Sequence, residues 1–262
     1  MKSLCSNCGG TNPKDSKFCN QCGSSIDGTD PKPPIDFTRP QSYTPKFLAE
    51  KILNSSSAVI GERKIVTVLF ADVVNSTGIF EKLDPEQVHN IMDGCFRIMM
   101  DEIHKCEGTV NQFRGDGIMS LFGAPLAHED HAQRACYAAF EIQKALTPFA
   151  EEVKFQSGLD FKVRIGLNSG TVVVGSIGND LRMDYTADGD TVNLAARMEA
   201  MATPGTILVS KSTYDRVSRH FSFTPLGKFK VKGKEKLQQV YRLSGLNPLS
   251  RVSSDRQFFS DM

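Results

Sequence analysis

From Ile65 to Ala71 the chain is almost wholly apolar and β-branched, which predicts a buried strand. Between Pro85 and Glu107 the apolar positions Val88, Ile91, Met92, Cys95, Ile98, Met99 and Ile103 recur at helical spacing. That periodicity predicts a helix with one face in the core. Two shorter stretches, Gly108 to Phe113 and Ile118 to Phe122, flank Arg114-Gly115-Asp116-Gly117 and predict a hairpin. A second helix is expected from about Glu129 to Glu152, then a strand pair over Lys162 to Leu167 and Thr171 to Gly175. The resulting order, βαββαβ with hairpins between helices, predicts an α+β fold: an antiparallel sheet covered on one face by helices.

The region before this pattern is punctuated differently. Residues 24 to 44 are rich in Ser, Pro, Gly and Asp and read as an extended, mobile tether. Thr44-Pro45 then introduces a short helix over Lys46 to Leu53, where Phe47, Leu48, Lys51 and Ile52 form one stripe. That stripe either packs on the following domain or pairs with a second copy. The tail from Asn247 to Met262 is polar and poorly patterned and resembles the start of a linker. The expected organisation is a small N-terminal module over 1–25, a linker with its approach helix over 26–61, the main domain over 62–245 and a tail over 246–262.

Composition narrows the choice. The 262 residues carry 31 Lys and Arg against 30 Asp and Glu, a net charge of +1, which argues against a general nucleic-acid binder. No stretch approaches the length of a membrane span and the N-terminus lacks a signal peptide's apolar core, so a cytoplasmic location is expected. Of the 7 cysteines, Cys95, Cys106 and Cys136 fall in helix-like segments and read as buried free thiols. Cys5, Cys8, Cys19 and Cys22 form two CxxC turns, each followed by Gly. Four thiolates so spaced converge tetrahedrally on one zinc ion, whose binding would supply the folding energy of so small a ribbon. Such a ribbon reads as a structural or docking module for a partner the sequence does not name.

The candidate chemistry begins with two carboxylates. Asp72 ends the first strand and is followed by Val73-Val74-Asn75-Ser76-Thr77, so a metal ligand stands beside a Ser/Thr-capped helix start that suits anions. Asp116 lies in the turn between two apolar stretches. Downstream, Asn193 and Arg197 stand four residues apart, on one face of a helix. Two carboxylates with an Asn/Arg pair point to divalent-metal chemistry on a nucleoside triphosphate. His128 and His131 look like a metal pair but read as decoration at the start of a helix.

These residues carry a resemblance. With Phe70-Ala71-Asp72, Gly115-Asp116-Gly117, Arg164-Ile165-Gly166-Leu167-Asn168-Ser169-Gly170, Asn193-Leu194-Ala195-Ala196-Arg197 and Val231-Lys232-Gly233-Lys234 in order, the segment from about Glu62 to Leu243 resembles a class III nucleotidyl cyclase catalytic domain. The resemblance implies a ferredoxin-like core and conversion of ATP to cyclic AMP and pyrophosphate with two Mg²⁺ or Mn²⁺ ions. It assigns the metals to Asp72, Asp116 and the carbonyl of Val73, and the triphosphate to backbone N–H groups of Val74, Asn75, Ser76 and Thr77. Asn193 would orient the ribose and Arg197 would stabilise charge on the α-phosphate. Lys232 would reach the terminal phosphates, although Lys228, Lys230, Lys232, Lys234 and Lys236 alternate as on one solvated strand face.

At the base-reading positions, many adenylyl cyclases carry Lys and Asp where this chain has Gln112 and Thr186. Both side chains donate or accept hydrogen bonds, so guanylate cyclase activity or relaxed specificity stays open beside the preferred ATP. In the family the metal ligands come from one subunit and the base-reading and Asn/Arg pairs from its partner, which implies a homodimer. The approach helix or the ribbon would then transmit control. The rivals are a catalytically silent cyclase-like regulatory module, a diguanylate cyclase or polymerase-palm relative, and a zinc-ribbon nucleic-acid binder. The second lacks its Gly-Gly-acidic-acidic-Phe signature here, and no Walker A loop is present.

Overall fold

In the computed structural model the described residues are 3–4, 11–12, 35–37, 39–55, 62–177, 183–185, 189–231 and 236–247. The chain divides into two units, Met1–Asp36 and Phe37–Met262. In the first, β1 (Ser3–Leu4) pairs antiparallel with β2 (Thr11–Asn12). Cys5, Cys8, Cys19 and Cys22 lie outside the described residues, as does the tail beyond Asn247.

The second unit opens with two helices, α1 (Pro40–Tyr43) and α2 (Lys46–Ser55). It continues through β3 (Glu62–Val73), α3 (Ser76–Phe80), α4 (Pro85–Lys105), β4 (Thr109–Arg114), β5 (Gly117–Phe122), α5 (His131–Ser157) and β6 (Val163–Ile177). After these come β7 (Met183–Tyr185), α6 (Asp190–Met201), β8 (Ile207–Ser210), α7 (Lys211–Val217), β9 (Phe221–Phe229) and β10 (Gln238–Leu246). The strands form one 8-stranded sheet in the order β4-β5-β3-β6-β8-β10-β9, with β7 paired to β6. In the run β4-β5-β3-β6 each strand is antiparallel to its neighbour, and with α4 and α5 the four make the expected βαββαβ core. The β6–β8 pairing is parallel, so the extended sheet is mixed.

Helices cover both faces of the sheet, not one as expected. Val66, Val68 and Phe70 of β3 pack with Met119, Leu121 and Val172 against Val192 and Ala195 of α6. On the opposite face Thr67 Oγ1 bonds His131 Nδ1 of α5 at 2.8 Å and Ser169 Oγ at 2.7 Å, and Ser169 Oγ reaches Thr213 Oγ1 of α7 at 3.0 Å. The physical reason lies in β3 itself: a run apolar at nearly every position has two faces to bury.

The strand pair expected after α5 is a single strand. β3 pairs with β6 without a break from Val73↔Val163 to Glu62↔Val174. Asn168-Ser169-Gly170, which looks like a turn in the sequence, is held extended by its neighbours. Asn168 Nδ2 donates to the Thr191 carbonyl at 2.8 Å, and Ser210 Oγ donates to Asn168 Oδ1 at 2.6 Å.

The tether reading fails for the residues just before α2. α1 is helical with Tyr43 buried, and Phe37 packs edge-on against Phe96 and Phe113. Leu48 and Ile52 of α2 are buried beside Leu126, while Phe47 stays exposed, so the approach helix docks on its own domain. The alternating lysines do not share a strand: β9 stops at Phe229, Lys230 and Lys236 lie outside strands, and Lys232 and Lys234 are outside the described residues. Cys95, Cys106 and Cys136 are buried and free as expected, and burial pushes the Cys106 thiol up to about 12.

Candidate active site

Asp72 sits one residue from the end of β3, across from Gly117 of β5 and Arg164 of β6. Asp116 occupies the tip of the β4–β5 hairpin, after Gly115 at φ +60°, a left-handed backbone that favours glycine. The two acids are brought to one corner by short-range bonds. The Val73 N–H donates to the Asp116 carbonyl at 3.2 Å, and Ser76 Oγ donates to Asp116 Oδ2. A side chain at Gly117 would place its Cβ 2.9 Å from Asp72 Oδ1, so glycine keeps that carboxylate's space open.

The corner is electrostatically poised. Burial raises the Asp72 carboxyl above its ordinary range and the neighbouring charge of Asp116 adds to this, while Arg164 opposes it. Arg164 Nη2 donates to Asp72 Oδ2 at 2.7 Å, and its Nε faces Glu199 Oε1 of α6. Burial lifts Glu199 to about 7, with Asp72 and Asp116 adding and Arg164 again opposing. One guanidinium therefore answers to two carboxylates with a third nearby. Half-buried, mutually repelling carboxylate oxygens are hard donors that suit Mg²⁺ or Mn²⁺, whose remaining ligands are commonly waters and substrate phosphates. The residues present fit a divalent ion.

The other expected residues fall into three groups. Val73 is buried in the ladder beside Asp72. Val74 is a correction: its N–H donates to the Lys162 carbonyl at 2.8 Å and is already committed to the fold. Asn75 at φ +57° makes the turn into α3, and the Ser76 and Thr77 N–H groups stand in a first helical turn, without intrahelical acceptors. Gln112 is exposed on β4. Asn193 and Arg197 are exposed on α6, opposite its buried face of Thr191, Val192, Leu194, Ala195 and Met198. Neither hydrogen-bonds or ion-pairs with Asp72 or Asp116 among the described residues. Thr186 and Lys232 lie outside the described residues. Sequence reasoning assigned no role to Arg164, Glu199 or the Ser76 hydroxyl. No single segment carries a signal for Arg164: it is the second residue of β6, and only the pairing of β6 with β3 sets it across from Asp72.

His131 is the first residue of α5, and burial holds its imidazole down at about 4, so it is neutral in its bond to Thr67. His128 faces Glu107 Oε2 at 3.2 Å instead of His131. Among the described residues no group of three or more His, Cys, Asp or Glu gathers as a metal cluster.

Known proteins share this domain. The adenylate and guanylate cyclase catalytic domain matches residues 59–245. The chain belongs to that family. It is 34% identical over 208 residues to adenylate cyclase 1 of Rhizobium meliloti, covering 78% of this chain and 31% of that protein. Against the soluble guanylate cyclase subunit beta-2 of Rattus norvegicus the identity is 28% over 209 residues, covering 78% of this chain and 29% of the other. The chain thus spans about a third of the length of these curated relatives. Among solved structures, the adenylyl cyclase CyaB from P. aeruginosa superposes with a TM-score of 0.68 at 30% identity, over 72% of this chain and 98% of that one. The guanylate cyclase domain of RhGC from Catenaria anguillulae, solved in complex with GTP, superposes at 0.62 and 30% identity, over 71% of this chain and 100% of its own. The domain is a class III nucleotidyl cyclase domain, and both adenylate and guanylate cyclases are similar to it. No described helix is long and apolar enough to cross a membrane.

Proposed function

We propose that this chain is an adenylate cyclase that converts ATP to 3′,5′-cyclic AMP and pyrophosphate at a site shared by two copies. The observation that carries the reading is the pairing of Asp72 and Asp116 at one corner, inside a domain of the cyclase family. The ribose 3′-oxygen attacks the α-phosphorus, the bond to the pyrophosphate oxygen breaks, and the 3′-hydroxyl proton passes to solvent. Divalent ions, when bound, supply the Lewis acid that lowers the hydroxyl's pKa and the charge that holds the leaving phosphates. Asp72, Asp116 and the Val73 carbonyl hold those ions. N–H groups of Asn75, Ser76 and Thr77 and the Lys232 ammonium bind phosphate oxygens. Asn193 orients the ribose, and Arg197 neutralises charge developing on the α-phosphate. The exposure of Asn193 and Arg197 on α6 supports their delivery to a second copy's carboxylates.

Gln112 and Thr186 read the base. An amide both donates and accepts, so ATP stays the preferred substrate while a second reading, GTP use or relaxed specificity, stays open beside it. Cys5, Cys8, Cys19 and Cys22 hold one structural zinc. Its support is the CxxC spacing and the short β1–β2 ladder that brackets the first CxxC turn. The decisive experiment is turnover of ATP and GTP with Mn²⁺ and then Mg²⁺, with Asp72→Ala and Arg197→Ala alongside. Cyclic nucleotide made by the wild type and lost in both variants is the expected result. No product from either nucleotide would overturn the reading in favour of a silent regulatory module.

A further inference from the structure

The hairpin that carries Gln112 and Asp116 is gripped by residues that precede the family match, which begins at residue 59. Among the described residues β4 is the edge of the sheet, with β5 as its one strand neighbour. Its ladder is also irregular where it matters, with a register shift between Val110 and Gln112. A bulge there frees the strand locally, so what aims Gln112 must come from packing as well as from the ladder.

That packing is aromatic. Successive strand residues face opposite ways, so Phe113 points away from the face that exposes Gln112. Phe113 meets Phe96 of α4 with ring centroids 5.2 Å apart, Phe37 at 4.8 Å and Tyr43 at 5.3 Å, all edge to face. Phe37 also touches Phe96 at 5.4 Å. A second grip lies ahead of the strand, where Lys51 of α2 pairs with Glu107, itself in a left-handed turn at φ +55° and 3.4 Å from Arg134 Nη1. The approach segment therefore holds β4 at both ends.

We propose that Phe37 and Tyr43 are positioning residues for nucleotide selection: by gripping Phe113 they fix the aim of Gln112 across the bulge. The inference rests on Gln112 as base reader, and its test needs no turnover. In the full chain with Mn²⁺, ATP and GTP compete against a bound fluorescent nucleotide analogue, and amide hydrogen exchange is followed over Val110 to Phe113. Phe149→Ala serves as the comparison, since it removes an equivalent edge-to-face pair with Phe161. Phe37→Ala is expected to change the ratio of ATP to GTP dissociation constants about threefold or more and to speed hairpin exchange about tenfold. Phe37→Tyr should restore both, and Phe149→Ala should lower the melting temperature while moving neither. Ratio and exchange unmoved in Phe37→Ala, with a melting temperature lowered as in Phe149→Ala, would overturn the proposal. Faster exchange with an unmoved ratio would also overturn it, since the grip would then be structural only. A chain that binds and discriminates nucleotides without turning them over would defeat the cyclase reading but leave this test intact.

Discussion

Asp72, Asp116, Arg164 and Glu199 form a charge cluster in which a single guanidinium stands among three carboxylates. Arg164→Ala would leave Asp72 without its counter-charge. The side chains of Arg164 and Asp72 are 30% and 20% exposed, so the loss is expected at roughly 1–2 kcal/mol, below that of a fully buried pair. Thermal melts check this, and Mn²⁺ should raise the melting temperature of Arg164→Ala more than that of the wild type. A second prediction concerns two buried histidines. Burial holds His104 and His131 at about 4 in the folded state, below the usual 6.5. A depressed pKa means the unfolded chain binds protons first, so stability is full above about 6.5 and declines as pH falls toward 4. Each imidazole should cost on the order of 1–3 kcal/mol at the acid end, measured by urea denaturation across that range.

At the scale of elements, α6 is pressed onto the sheet at Gly166, where any Cβ would overlap the backbone of Met198 and Glu199. Because that neighbour is main chain, no rotamer can relieve the clash. Gly166→Ala should cost more than about 3 kcal/mol and lower cyclase activity with it, as chemical denaturation and turnover would show. The docked helix α2 offers a milder case. Leu48 and Ile52 are 0% and 1% exposed, so Leu48→Ala should cost about 2–4 kcal/mol in a denaturation experiment, less if α2 detaches separately. Its sequence stripe was legible from helical spacing, but Phe47 was misplaced on it, being 49% exposed. Spacing marks a face, and only the partner surface decides how wide that face is.

At the scale of the molecule, the exposure of Asn193 and Arg197 on α6, with no bond to Asp72 or Asp116 among the described residues, predicts complementation between copies. Asp72→Ala and Arg197→Ala chains, each inactive alone, should recover about a quarter of wild-type activity when mixed equally, because half the dimers then hold one intact site. Activity that stays at the level of the single variants, from chains shown to exchange subunits, would place the whole site within one copy.

The sequence by itself determined the βαββαβ order, the core of the first strand, the extent of the helix that follows it, and the placement of Asp72 near a strand end and Asp116 in a hairpin turn. Those features are written in local periodicity and turn chemistry, which neighbours in sequence impose. It misjudged β6, whose polar Asn168-Ser169-Gly170 reads as a turn until Thr191, Ser210 and the whole length of β3 are in place to hold it straight. The Val74 N–H looked available because its acceptor, the Lys162 carbonyl, is remote in sequence. Arg164 and Glu199 stayed silent for the same reason, since a charge cluster assembled from β3, β6 and α6 has no signature in any one segment. Tertiary structure alone decided which faces of the sheet are covered, which polar groups are already committed, and that Phe37 and Tyr43 reach forward to hold the hairpin. Each of these depends on partners that chain order does not bring together, and only packing can supply them.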